Sequence, residues 1–432
     1  MDRIQTIKYL IFLTLFSIFF TACSNKNIQI KDLEKYSQNP DSYINDNIFF
    51  KNQDIYNEKF FKNYFTVWDE PIIDISKKEA TWGFYYTKKD IYLQNFSKAT
   101  KEWFDNQIEN SNFDNFKKEL KKAITIKNSD VRVFPTKEMM FYNPYKAGEG
   151  FPFDYNQNSS IKINTPILIS HYSKDKAWAY IRTNSFYGWI SMDDIAFVDE
   201  KFIKKFKTNN YALTTKDKMN IYDDFYIEKL QLATLIPYKN NNFYIAKKDK
   251  KHNAYLTKIK IDKGNISLKP LVFNKKNISK ISKQLIGEQY SWGGALGFRD
   301  CSSFTQDFFA SFGIYINRNS KGQTKNGKYI TLENLTKKEK INYIVQKGKP
   351  FKTLIYLKGH IMLYIGVNNN EPLVMHNVWG VRTKNILNEE GRNIIGKNII
   401  STLNYGNELI NYDRQNTIVD KIKGIVILDE NN

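Results

Sequence analysis

Cysteine is almost missing from this chain: 432 residues contain two, Cys23 near the N-terminus and Cys301 in the C-terminal third. So sparse a supply excludes a disulfide framework, and each thiol needs its own explanation. Histidine is scarce too, with His171, His252, His360 and His376 the four present. No HExxH, phosphate-loop or GxSxG motif occurs, so a zincin, a P-loop nucleotidase and an α/β-hydrolase serine site have no support. Basic residues outnumber acidic ones 65 to 45, giving a net charge of +20. The lysines are spread through an Asn- and Ile-rich background without a dense patch, and no nucleic-acid module accompanies them. The charge reads as a solvated surface suited to an anionic environment, and nucleic acid is not expected as a partner.

What is present is a long chain with 41% hydrophobic and 15% aromatic residues, enough for two to four compact units. Its start has the layout of an export signal. Arg3 and Lys8 precede the apolar run Tyr9–Phe20, and Thr21-Ala22-Cys23-Ser24 follows. That run is too short to span a hydrocarbon core of ~30 Å. Phe20-Thr21-Ala22-Cys23 resembles a bacterial lipobox, with Phe in place of the usual Leu. The resemblance implies a cleaved leader and a diacylglycerol on Cys23. With Ser24 next, it implies residence on the periplasmic side of an outer membrane.

Residues 24–48 are polar and read as a tether. Aromatics recur through 49–122, including Trp68, Trp82, Phe84 and Trp103. Ser111–Lys122 has the pattern of a short amphipathic helix with Ser111 as N-cap. From Ala123 the rhythm changes to short strands with turn residues between them. The segment "AWAYIRTNSFYGWISMDDIA" is similar to a bacterial SH3 domain, and residues 201–275 repeat the strand pattern more faintly. Two SH3-like barrels, 123–200 and 201–275, are expected.

The chemistry concentrates in 276–432. A helical stretch, Ile278–Ile286, leads into "GEQYSWGG" and then Arg299-Asp300-Cys301-Ser302-Ser303. Phe304, Phe308, Phe309 and Phe312 follow at helical spacing, with Gly313 as a stop. Asp300 is suited to be the N-cap, which puts Cys301 in the first helical turn. There the unpaired N–H groups and the helix dipole favour a thiolate and offer donors to an oxyanion. Downstream, His360–Ile365 and Pro372–His376 read as strands joined by a turn. A hairpin folded about Asn368 pairs residues whose numbers sum to 736, which sets His360 opposite His376 to within one residue. Cys301, His360 and His376 then form a thiol–imidazole–orienter triad; a Cys-His-His zinc site is the competing chemistry.

These segments, with "RDCSSFTQDFF", "INRNSKGQ", "KGHIMLYIG" and "LVMHN", resemble the NlpC/P60 family of papain-like cell-wall peptidases. The resemblance implies an α+β protein. Its catalytic domain (276–432) would follow the two SH3-like barrels and a small, mostly helical N-terminal stabilising domain (49–122). It implies a metal-free and cofactor-free cysteine peptidase that cuts γ-D-glutamyl–diamino acid bonds in peptidoglycan stem peptides. Cys301 matches the nucleophile, His360 the base, His376 the third polar residue, and Tyr290 a tyrosine near the oxyanion. Asp300, Ser302 and Ser320 match substrate-contacting positions, although Asn317 stands where a proline is usual. In relatives whose first SH3 module caps the cleft, an acid and a tyrosine bind the free amine of L-Ala. Asp154 and Tyr187 are the candidates for that pair, and a trimmed stem peptide would be the substrate. A monomer is expected. A catalytically silent wall-binding lipoprotein and an amidase cutting before L-Ala remain as alternatives.

Overall fold

Three antiparallel sheets organise the chain, and the sequence segments that build them are consecutive. The structure, a computed structural model, describes residues 27–208 and 210–430; the leader, Cys23 and Ser24 lie outside the described residues. Two helices dominate the N-terminal part, α1 (Gln53–Asp69) and α2 (Lys101–Asn110). The first sheet comprises β1 (Lys121–Thr125), β2 (Ser129–Arg132), β3 (Gln157–Ile161), β4 (Pro166–Tyr172), β5 (Trp178–Arg182), β6 (Tyr187–Ser191) and β7 (Ile195–Phe197). Its strand order is β3-β2-β6-β5-β4-β1-β7. A second β-unit follows. It holds β8 (Tyr211–Thr214), a separate hairpin of β9 (Met219–Tyr222) and β10 (Tyr226–Leu230), then β11 (Leu235–Lys239), β12 (Asn242–Lys248), β13 (Ala254–Ile259) and β14 (Ile266–Ser267).

The last part is a helix-and-sheet layer pair. Helices α3 (Lys275–Leu285) and α4 (Cys301–Ala310) are buried against a six-stranded sheet. That sheet runs in the order β15 (Lys328–Thr331), β20 (Ile422–Ile427), β16 (Thr353–Leu357), β17 (His360–Asn368), β18 (Glu371–Lys384) and β19 (Glu390–Thr402). Phe304, Phe308, Phe309 and Phe312, fully buried, meet Leu354, Leu363 and Met375 from the sheet. Gly313, at φ 66°, ends the segment in the left-handed region that glycine tolerates.

The N-terminal part departs from expectation in two ways. Residues 27–48 are no free tether. Ile30, Tyr36 and Ile44 are buried, Gln38 exchanges hydrogen bonds with the Ile400 backbone, and the Asp32 carboxylate accepts from the Thr402 amide and hydroxyl. The polar composition hid a few apolar anchors that dock onto β19 of the distant catalytic sheet. The helix expected over Ser111–Lys122 lies one segment earlier, at Lys101–Asn110, capped by Thr100, whose hydroxyl accepts from the Trp103 amide. Ser111 sits at its C-terminal end, Asn112 turns left-handed (φ 47°), and from Lys121 the chain pairs with β4 and β7.

Helix α1 holds the two β-units together. Phe65 and Trp68 pack with Ile124 of the first sheet and with Phe206, Tyr211 and Leu213 leading into the second. The Trp68 indole donates to the Ala123 carbonyl at 2.9 Å, which satisfies its polar atom inside an otherwise apolar contact.

Candidate active site

The Asp300 carboxylate accepts from the amides of Ser302 (3.0 Å) and Ser303 (2.7 Å), and the Ser303 hydroxyl accepts from the Asp300 amide. This reciprocal cap fixes where α4 starts and makes Cys301 its first residue. Strand β17 begins beside it, with the Ile361 N–H directed at the sulfur.

His360 Nε2 and His376 Nδ1 are 2.9 Å apart, and His376 Nε2 is 3.1 Å from Ser401 Oγ. The Ser401 hydroxyl donates to the Thr402 carbonyl at 3.0 Å, so its oxygen must accept from His376. His376 therefore carries its proton on Nε2 and accepts on Nδ1, and His360 donates through Nε2. The remaining nitrogen, His360 Nδ1, is left as an unprotonated base. The two ring nitrogens are hydrogen-bonded to each other, and among the described residues no three His, Cys, Asp or Glu side chains are grouped as metal ligands. Ser401→Ala should lower kcat about fivefold and leave KM unchanged. It deletes one hydrogen bond of ~1 kcal/mol from the relay and touches no cleft wall.

The two histidines meet by a different register from the one expected. The turn residues Asn369 and Asn370 are both left-handed (φ 49° and 63°), so the hairpin folds between them and pairs Asn368 with Glu371. After a bulge between Tyr364 and Gly366, Leu363 faces Met375. His360 and His376 are thus diagonal neighbours on one face, within reach of each other's rings.

Burial sets the protonation state. It pushes the Cys301 thiol up to about 12, with the Asp300 carboxylate adding to the effect, and it holds His360 down to about 4. The depressed thiol expected from the helix terminus is not found. The resting pair is a neutral thiol and a neutral imidazole, and the helix N–H groups only partly offset desolvation. His376, buried beside His360, is held well below its ordinary value. His171, enclosed between Ser170 and the Ser111 carbonyl, is held at about 4. Each is neutral in the folded chain, whereas the unfolded chain takes up protons below about pH 6.5. Stability should therefore be full above that pH and fall as pH drops towards 4, by up to ~1.4 kcal/mol per unit per histidine. Urea midpoints at pH 7, 5.5 and 4.5 would record the slope.

Cys301, Tyr290, Asp300, Ser302 and Ser320 line one cleft. Burial raises the Tyr290 hydroxyl well above its ordinary value, and charge on Cys301 adds to this, so Tyr290 remains a donor beside the sulfur. Asp300 and Ser302 are less available than expected. Arg318, buried, donates to both Asp300 oxygens (3.1 and 2.9 Å), to the Ser302 hydroxyl (2.9 Å) and to Ser159 of β3 (2.9 Å). Neither Asp154 nor Tyr187 lines the cleft. The Asp154 carboxylate is paired with Arg132 at 2.8 Å and accepts from the Met140 and Asn156 amides. The Tyr187 hydroxyl is tied to Asp74. Both stabilise the first β-unit and its contact with the N-terminal part.

The walls instead come from Trp82 and Tyr86 of the N-terminal part and Tyr155 and Gln157 of the first β-unit, none of them a candidate site residue, and from Trp292 of the GEQYSWGG segment. Gly293, at φ 61°, lets the Trp292 turn press on β3, where a Cβ would lie 2.9 Å from the Gln157 carbonyl. The cleft is thus closed by three parts of the chain. Comparison with known proteins agrees with this composite arrangement. Residues 12–116 match the N-terminal NLPC_P60 stabilising domain, 139–191 an SH3 domain of the SH3b1 type, and 287–392 the NlpC/P60 family.

The chain belongs to the NlpC/P60 family. An NlpC/P60 endopeptidase from Photobacterium damselae subsp. piscicida shares its fold with a TM-score of 0.84 and 25% identity, over 92% of this chain and 98% of that one. A γ-D-glutamyl-L-lysine dipeptidyl-peptidase of Bacillus cereus is 36% identical over 88 residues, which is 20% of this chain. The chain thus spans a quarter of that curated relative's length. One SH3 model matches, over the first β-unit, and the second β-unit is described by its strands alone.

Proposed function

We propose that this NlpC/P60 protein is a cysteine peptidase that hydrolyses the γ-D-glutamyl–diamino acid bond of peptidoglycan stem peptides, held at the cell envelope by a lipid on Cys23. The observation that carries the catalytic part is the chain of contacts from His360 through His376 to Ser401, which leaves a neutral His360 Nδ1 as base on the residue before Ile361, whose N–H meets the Cys301 sulfur. The name of the Bacillus cereus relative supports the choice of bond, since its matched segment is similar to this one.

The reaction follows from those groups. Substrate displaces water from the cleft and brings a γ-carbonyl to Sγ, whose proton passes to His360 Nδ1. The thiolate adds to the carbonyl carbon. The oxyanion takes hydrogen bonds from the Tyr290 hydroxyl and the first-turn amide of α4. His360 then protonates the departing amine, and a water activated by the same imidazole hydrolyses the thioester. His376 holds the imidazolium that forms in each half-reaction, with its own proton fixed by Ser401.

A requirement for a free L-Ala amine loses its support with Asp154 and Tyr187. Asp300, the one carboxylate among the lining residues, is occupied by Arg318. Aromatic walls suit the stacking of a sugar face or of an apolar peptide edge equally well. Mass spectrometry after incubation with L-Ala-γ-D-Glu-diaminopimelate, its L-lysine counterpart and muramoyl-linked peptides tests the reading. Release of the free diamino acid establishes the bond. Cleavage before L-Ala would make the protein an amidase, and no product from any of them would leave a wall-binding lipoprotein.

A further inference from the structure

Among the described residues, the edge of the catalytic sheet farthest from β15 carries exposed apolar side chains. At the tip of the β18–β19 hairpin Ile386 is fully exposed and Leu387 is 73% exposed. Ile410, also fully exposed, stands in the loop beside that tip, where the Lys384 amide donates to the Asn411 carbonyl and Thr383 bridges Tyr412. Further along the same edge Ile28 and Ile394 are exposed as well.

The chain's N-terminal segment reaches this edge. The Ile28 amide donates to the Asn393 side chain at 2.8 Å, Asn393 donates back to the Ile28 carbonyl, and the Ile394 amide donates to Asn27. Three residues, 24–26, separate Asn27 from Cys23. Fully extended, those four links span at most ~14 Å. A diacyl group on Cys23 must therefore enter a bilayer within that distance of Asn27, and the β19 edge cannot stand clear of the lipid head groups.

The acidic side chains around the tip have partners within the protein. Glu389 takes the Asn385 amide, Glu390 is paired with Arg382 and Arg392, and Glu408 accepts from the Lys31 amide. Arg414, exposed, stands near the tip and suits an anionic surface, while Lys384 lies 3.9 Å from Asp413.

We infer that the protruding end of the β18–β19 hairpin, with Ile386, Leu387 and Ile410, seats in the head-group region of the bilayer that holds the lipid on Cys23. This rests on the anchoring half of the proposed function and is independent of the catalytic half. The short reach keeps the β19 edge near the bilayer, and seating the hairpin tip in the head groups gives the protein its orientation. An interfacial contact made by exposed apolar residues beside basic ones is the physical type involved.

The test uses the full chain, purified from membranes and reconstituted into phosphatidylethanolamine–phosphatidylglycerol vesicles. Leu387→Cys in a Cys301→Ala background is labelled with an environment-sensitive fluorophore. Phe225→Cys at the exposed β9–β10 tip serves as control, and the mass of the N-terminal peptide reports acylation. The label at 387 should shift to the blue and lose emission to brominated lipid, while the label at 225 does neither. An acylated protein whose 387 label stays in water would overturn the inference and leave the anchor standing. An unacylated Cys23 would overturn both.

Discussion

Cys301→Ala is expected to abolish release of the diamino acid, a loss on the order of 10⁴-fold or more, while changing stability by only ~1 kcal/mol. The size follows from the mechanism: without the sulfur no thioester can form, and His360 has no nucleophile to activate. The small stability change follows from the packing. Cys301 contributes one buried sulfur to a core dominated by Phe304, Phe308, Phe309 and Phe312, and the α4 cap is made by Asp300 and Ser303 without it. The check is a single preparation assayed twice, for product by mass spectrometry and for urea midpoint. Residual turnover above about a thousandth of wild type would show that another group carries the reaction.

The parts of this site that were legible in the sequence are local. An aspartate before Cys-Ser-Ser and four phenylalanines at helical spacing are enough to place a capped helix, because the cap is made by residues three apart. The His360–His376 contact was legible for the same reason, through a hairpin with a tight turn. Even there the register moved, because two left-handed asparagines and a bulge at Gly366 are backbone facts that composition does not carry. What the sequence hid depends on long separations. Ser401 reaches His376 only because β19 lies beside β18. Arg318 reaches Asp300 and Ser159 across two units. Asp154 was a reasonable acid for an amine until Arg132, at the end of β2, is seen to occupy it. Residues 27–48 looked like a tether because their contacts lie more than 220 residues away.

Arg299 brings these separations together, and its replacement should have the largest effect on stability. Two residues before Cys301 and almost wholly buried, it donates to Asp307 of α4 (2.7 Å), to Glu288 before the Trp292 turn (2.8 Å) and to Asp217 of the second β-unit (2.8 Å). Lys162, following β3, reaches Asp307 from the first β-unit, and Lys218 reaches Glu288 from the second. Three cations and three carboxylates thus balance where the three parts meet, just behind the nucleophile. The guanidinium beside Asp217 holds that carboxyl at about 2 despite its burial. Arg299→Leu would leave three buried carboxylates facing two lysines. Breaking a buried network from one side costs about 3–5 kcal/mol, and the urea midpoint should fall accordingly. Removing Asp217 as well, in Arg299→Leu/Asp217→Asn, should restore part of the loss, because it deletes a charge left without its partner. The sign of the pH effect gives an independent reading. A carboxyl depressed in the folded chain contributes stability that is full above about 4 and lost as pH falls towards 2. That acid-side loss should shrink in Arg299→Leu. A single variant as stable as wild type would mean that the two lysines alone balance the cluster, and that α4 is held against both β-units by apolar packing.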